Sequence, residues 1–173
     1  MRRLLTVLFA CLALAAIAGC GGGSDSSSGG ETTATGESAS GGGKSSANTD
    51  LSKKPTVTVP SGPPPTELKT EEIVEGSGKE AKKGDEVTVQ YVGVGYESEE
   101  EFDSSWSRNE PFPFPLGAGA VIPGWDKGVE GMKVGGRREL IIPPELAYGE
   151  AGSPPAIGPN ETLIFIVDLL AVK

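Results

Sequence analysis

The sequence predicts an α+β fold in which an antiparallel sheet packs against one short helix. Three stretches carry that expectation. "EVTVQYVGVGY" (86–96) alternates with period two, which sets Val87, Val89 and Tyr91 on one face of a strand. "GGRRELIIP" (135–143) and "ETLIFIVDLLAVK" (161–173) are apolar runs of strand length, the second the longest in the domain. Against these stands a single credible helix, "GWDKGVEGM" (124–132), two to three turns long and interrupted by Gly128 and Gly131.

The remaining elements follow in order. "PTVTVP" (55–60) alternates β-branched residues between two prolines and reads as a short edge strand. "SGPPPT" (61–66) is a stiff polyproline-like link. "ELKTEEIVEGSG" (67–78) is a strand ending in a glycine turn, and the acidic run 97–101 is a solvated hairpin tip. In "EPFPFPLG" (110–117), Phe112 and Phe114 share one face and prolines the other, which marks an edge strand or one broken by a bulge, with the two rings packed side by side. "PELAYGEAGSPPAIGPN" (144–160) is a loop long enough to expect a function of it.

The chain before this domain has a different character. Arg2 and Arg3 precede some fifteen apolar residues, too few to span a bilayer comfortably, which takes about 20. The run ends in Ile17-Ala18-Gly19-Cys20, which resembles the bacterial lipobox. That resemblance implies a signal peptide over 1–19 and lipidation of Cys20, with the protein outside the cytoplasm on a bacterial cell membrane. Cys11 falls inside the apolar run, so cleavage leaves Cys20 alone and no disulfide within the mature chain. Residues 20–54 are mostly Gly, Ser, Thr and Ala, a composition that cannot bury enough apolar surface to order itself. As a flexible tether of about 35 residues, this segment has a mean reach of roughly 30–35 Å. The domain proper then runs over 55–173, with 55–66 as a proline-rich extension.

Composition excludes several classes of function. The net charge of −9 leaves no basic surface to neutralise phosphates, so nucleic acid is not an expected partner. With no histidine in the chain, histidine-based catalysis and His-rich zinc sites are ruled out. "GGGKSS" (41–46) lacks the earlier glycine of a phosphate loop, because Ser38 stands there.

Four stretches then combine: Tyr91; "FDSSWSRNEPFPF" (102–114); "AVIPGWDKGVEGM" (120–132); and "PPELAYGEAG" (143–152) with "TLIF" (162–165). In this order and spacing they resemble the FKBP-type peptidyl-prolyl isomerases, across nearly all of residues 67–170. The resemblance implies a five- or six-stranded antiparallel sheet curled around the short helix, with an apolar pocket between them. It implies Asp103, Tyr148, Tyr91 and Phe102 as catalytic residues. Phe112, Val121, Ile122, Trp125, Ile157, Phe165 and Arg108 would bind substrate, with Trp125 as the floor. The Ile122 N–H and the Tyr148 hydroxyl would bond ligand carbonyls, and Tyr91 and Arg108 would steady Asp103. No metal or cofactor is implied. Partners would be proline-containing unfolded or exported polypeptides, macrolide inhibitors of the family, and the membrane through Cys20. Ser153 and Ala156 depart from the family's bulkier residues in the long loop. From the residues alone, Phe112, Val121 and Phe165 fit plain core equally well, Asp103 fits a turn, and Trp106 fits loop packing as well as a substrate contact. A non-catalytic module holding proline-containing segments in the cell envelope is the alternative function.

Overall fold

The computed structural model describes residues 48–173. Cys20, the apolar run before it and most of the tether lie outside the described residues. The elements are β1 (Lys69–Val74), β2 (Glu86–Gly95), β3 (Glu101–Ser104), α1 (Ser105–Arg108), β4 (Phe112–Pro115), α2 (Pro123–Val129), β5 (Arg137–Ile142) and β6 (Leu163–Val172). The sheet has six strands in the order β1-β5-β6-β2-β3, with β4 also paired to β2. Every pairing is antiparallel. The ten-residue strands β2 and β6 form its spine, from Val87 opposite Val172 to Gly95 opposite Leu163.

Alternation sorts the residues as the sequence predicts. Val87, Val89 and Tyr91 join Leu140, Ile142, Phe165, Val167 and Leu169 on the inner face, under α2. Two glycines of the helix, Gly124 and Gly128, make its docking possible. A Cβ at Gly124 would run into Ile142, and one at Gly128 would come within 2.8 Å of Leu140. Pro123 occupies the first helical turn, where a missing N–H costs nothing. Asp126, from the helix's own first turn, accepts the N–H groups of Gly117 (2.8 Å) and Gly119 (3.0 Å) and so fixes the loop entering it.

One edge of β2 is shared by two short strands. β4 pairs with Glu86–Val89 and β3 with Val92–Val94, which leaves Gln90 and Tyr91 between them without a strand partner on that side. The Tyr91 N–H donates instead to the Ser105 hydroxyl at 2.8 Å, and that hydroxyl also bonds the Gln90 side chain. Ser105 opens α1, a one-turn helix that the sequence reading did not anticipate. A single turn carries no hydrophobic period to detect.

The expected edge strand at 55–60 is not formed. Val57 and Val59 lie across the outer face of the sheet, on Tyr96, Ile141 and Ile164. The Asn48 side chain takes both the N–H (2.9 Å) and the carbonyl (2.7 Å) of Thr56, so the segment's polar backbone is met without a ladder. Prolines at both ends leave few donors for a ladder in any case.

Residues 48–54, assigned by composition to the tether, also belong to this strap. Arg137 is fully buried and its guanidinium grips Asp168 across the β5–β6 pair. Its remaining donors reach the carbonyls of Asn48 (2.8 Å), Asp50 (3.4 Å) and Lys53 (3.0 Å). Lys54 pairs with Glu101 at 2.8 Å, and Pro55 is buried. A glycine- and serine-rich composition hides such an anchor, because the anchoring is done by backbone carbonyls.

Candidate functional site

The gap in the β2 edge is where the site is built. Tyr91 points inward at that gap, Asp103 faces it from β3, and the α1 turn brings Arg108 back over both. Asn109 ends the turn in the left-handed conformation (φ 53°), which reverses the chain toward β4. The three polar groups close a ring: the Tyr91 hydroxyl donates to one Asp103 oxygen, Arg108 donates to the other, and Arg108 Nη2 donates to the Tyr91 oxygen at 2.8 Å. The Ser104 N–H adds a bond to Asp103 at 2.8 Å. The guanidinium carbon also lies 5.8 Å from the centre of the Tyr91 ring.

This ring sets the protonation states. Burial alone would raise the Asp103 pKa, but the bonds from Tyr91, Arg108 and Ser104, with the Arg108 charge, hold it below the ordinary carboxylate range. Burial and the neighbouring Asp103 carboxylate push the Tyr91 hydroxyl above its usual value of 10.0. Asp103 is therefore an anion and Tyr91 a neutral donor throughout the physiological range.

Beside the ring is an aromatic well. Trp125 is only 4 % exposed and meets Tyr91, Phe165 and Phe112 edge-on, with centroids at 5.0, 5.2 and 6.2 Å. Phe102 meets Phe165 at 5.5 Å, and Phe112 stacks on Phe114 at 5.7 Å. Edge-to-face pairs of this kind each contribute roughly 0.5–1.5 kcal/mol beyond their burial. Gly93 lies beneath, where a Cβ would come within 2.7 Å of both Phe102 and Phe165.

Together these residues bound a cavity of about 420 Å³. Its walls are Tyr91, Phe102, Asp103, Arg108, Phe112, Val121, Ile122, Trp125, Tyr148 and Phe165, with Ala120 at the rim. Every expected site residue of the domain but one is there. Ile157 is instead buried in the core, held by paired backbone bonds to Ser153 of 3.0 Å each. Ser153 and Ala156 are exposed and do not line the cavity, and neither does Trp106. Three contributors were not singled out in the sequence: Ala120 on the rim, Asp126 holding the loop that carries Val121 and Ile122, and Ser105 capping the Tyr91 amide. Asp126 lies within the "GWD" motif, and its spacing from two loop glycines was the available signal.

The well is dry-walled but supplies donors. Among the described residues neither the Ile122 N–H nor the Tyr148 hydroxyl has a partner, and Tyr148 is 42 % exposed. Trp125 Nε1 is buried and also unbonded. A second cavity, about 600 Å³, lies on the other face between the strap and Val92 and Val94. It is larger, and valines, threonines and the charged Lys54, Glu99 and Glu101 wall it, with no aromatic floor. Size does not make it the better site. Among the described residues no cluster of His, Cys, Asp and Glu could hold a metal ion.

A family model described as FKBP-type peptidyl-prolyl cis-trans isomerase matches residues 77–170. The chain is 57% identical over 121 residues to an FK506-binding protein of Streptomyces anulatus, covering 69% of this chain and 98% of that one. It is 50% identical over 119 residues to a probable FK506-binding protein of Corynebacterium glutamicum, again covering 69% and 98%. Among solved structures, FkpA from Escherichia coli superposes with a TM-score of 0.56 at 47% identity, covering 61% of this chain and 48% of that chain. The chain thus spans about half of FkpA. AtFKBP13 superposes with a TM-score of 0.57 at 39% identity, covering 61% and 93%.

Proposed function

Because the chain belongs to the FKBP-type peptidyl-prolyl cis-trans isomerases, we propose that the aromatic well over Trp125 is where it isomerises X–Pro bonds, and that its clients are exported polypeptides. The observation that supports the location best is the conjunction of a dry aromatic floor with two unpartnered donors and one fixed carboxylate.

The chemistry needs no nucleophile. An X–Pro bond turns over in tens to hundreds of seconds because twisting it forfeits amide resonance, a barrier of ~18–20 kcal/mol. In the twisted state charge separation between O and N falls. A well of aromatic walls therefore disfavours the planar amide relative to the twisted one. The proline ring rests on Trp125 between Tyr91, Phe112 and Phe165. Substrate carbonyls accept from Ile122 N–H and Tyr148, and the anionic Asp103 lies beside the carbonyl carbon as it rotates. Lowering the barrier by about 5 kcal/mol accelerates the step some thousands-fold. FK506, for which the Streptomyces and Corynebacterium relatives are named, would compete for the same well.

The extracytoplasmic setting rests on the lipobox-like Ile17–Cys20 and the composition of the tether. Acyl chains contribute about 0.8 kcal/mol per buried methylene, so several on one cysteine hold firmly to a membrane. Two experiments test the reading. Catalytic amounts of the protein should accelerate the proline-limited refolding phase of a test protein, and an unchanged phase at stoichiometric protein would sink the isomerase assignment to this well. Separately, Cys20→Ala should move the protein from the membrane fraction to the soluble one; equal membrane retention would overturn the anchor.

A further inference from the structure

Three residues of the well, Phe102, Asp103 and Arg108, come from one short piece of chain, β3 and α1, that has little of its own to hold it. β3 lies at the edge of the sheet and pairs with β2 alone. Its register slips opposite Gly93 and Val94, which leaves Phe102 as the extra residue of a bulge. A bulge re-aims a side chain and locally disrupts the ladder. α1 is a single turn, and Ser104 before it provides no side-chain cap. A helix that short does not hold its shape unaided.

Bonds to β2 and across the well hold the segment from one side: Ser105 to the Tyr91 N–H, and Arg108 to Asp103. From the other side it is held by Lys54, which belongs to the strap. The Lys54 ammonium donates to Glu101 at 2.8 Å and to the Ser107 hydroxyl at 3.3 Å, and that hydroxyl bonds Glu101 at 3.3 Å. One side chain therefore ties the first residue of β3 to the turn of α1. The tie brackets the site residues, since Glu101 directly precedes Phe102 and Asp103, and Ser107 directly precedes Arg108.

Lys54 starts from a fixed point. The carbonyl of Lys53 accepts from the buried Arg137 at 3.0 Å, and Pro55 on the other side is buried. With its backbone pinned on both flanks, Lys54 loses less freedom in forming the tie than a lysine on a loose chain would. The side chain of Lys53, by contrast, pairs with Asp50 inside the strap at 3.1 Å.

We propose that Lys54 is a positioning residue for the reaction: from the strap it clamps β3 to α1 and so holds Phe102, Asp103 and Arg108 in the arrangement the well uses. This rests on the reading that the well isomerises X–Pro bonds. The strap then supports the site as well as covering the outer face of the sheet. The Lys54 and Glu101 side chains are 40 % and 37 % exposed, which makes the contribution of the clamp modest. Its removal should lower kcat/KM about 3-fold.

The test is a protease-free isomerisation assay of an X–Pro tetrapeptide with the full chain. It compares the parent, Lys54→Met, Lys54→Arg and Lys53→Met, and then Asp103→Ala with and without Lys54→Met. Lys54→Met should show the loss, Lys54→Arg should recover most of it by keeping donors for both partners, and Lys53→Met should match the parent. In the Asp103→Ala background, Lys54→Met should cost less than about 1.5-fold, because a group that it positions is gone. A mere loss of folded protein would instead lower both backgrounds by the same factor. Lys54→Met as active as the parent, Lys54→Arg no better than Lys54→Met, Lys53→Met as damaging as Lys54→Met, or equal losses in the two backgrounds overturns the clamp alone. No acceleration by the parent overturns the isomerase reading, and full activity in Asp103→Ala overturns the placing of the reaction in this well; the clamp falls with either.

Discussion

Arg137→Ala should be among the most damaging single substitutions in the domain, although the residue lies on the face away from the well. Arg137 and Asp168 are 0 % and 1 % exposed at the side chain, and the guanidinium satisfies both carboxylate oxygens and strap carbonyls. Truncation leaves the Asp168 carboxylate buried without a counter-charge and releases residues 48–53. Breaking a buried pair from one side costs roughly 3–5 kcal/mol, most of it the stranded charge. For a unit of this size that lowers the melting temperature by about 10–20 °C. The assay is thermal and urea unfolding of the full chain, with Arg137→Met/Asp168→Leu beside it. Replacing both partners removes the stranded charge, so the double variant should recover most of the loss. A single variant within 1 kcal/mol of the parent, or a double variant no better than the single, would refute the reasoning.

Other outcomes follow from the site and its supports. Phe112→Leu removes the ring that faces both Tyr91 and Trp125 while altering a residue that is 36 % exposed, so kcat/KM should fall about tenfold or more with under about 1 kcal/mol lost in stability. Gly124→Ala drives a methyl group into Ile142 under the helix that carries Trp125, which should cost about 1–3 kcal/mol by denaturant titration. The profile of kcat/KM against pH should be flat from about pH 5 to 9, because Asp103 titrates below that window, Tyr91 above it, and the chain has no histidine. The sign for stability is fixed likewise: a depressed Asp103 pKa contributes stability above the unfolded value of about 3.9, lost as pH falls through the folded value. A break in the profile near pH 6 or 7 would contradict this assignment of states.

Much of the fold could be read from residues because burial imposes a period. The alternation in 86–96 and the apolar run of 161–173 predicted β2 and β6, and Phe112 and Phe114 stack as two residues on one face of a strand should. What period could not reveal depends on single side chains meeting backbone at long range. Asn48 stands in for a strand across Thr56, Arg137 reaches strap carbonyls some 84 to 89 residues away, and Ser105 caps the Tyr91 amide. None of these leaves a repeating mark. The site was legible only as a combined motif: Asp103 read alone is a turn residue and Trp125 a core plug. The structure gives Trp125 both a packed face and a face on the cavity. Ile157 illustrates the opposite limit, since the family resemblance implied a substrate contact while its apolar side chain is buried in the core.

The most direct test of the central claim is the cis-to-trans exchange rate of an X–Pro tetrapeptide, followed without a coupling protease, in the presence of the parent protein and of Asp103→Ala. The account predicts acceleration by the parent, suppression by an FK506-class macrolide at stoichiometric concentration, and a loss of at least about tenfold in kcat/KM for the variant with its fold intact by near-ultraviolet circular dichroism. An Asp103→Ala protein as active as the parent, or parent activity untouched by the macrolide, would place the reaction outside this well.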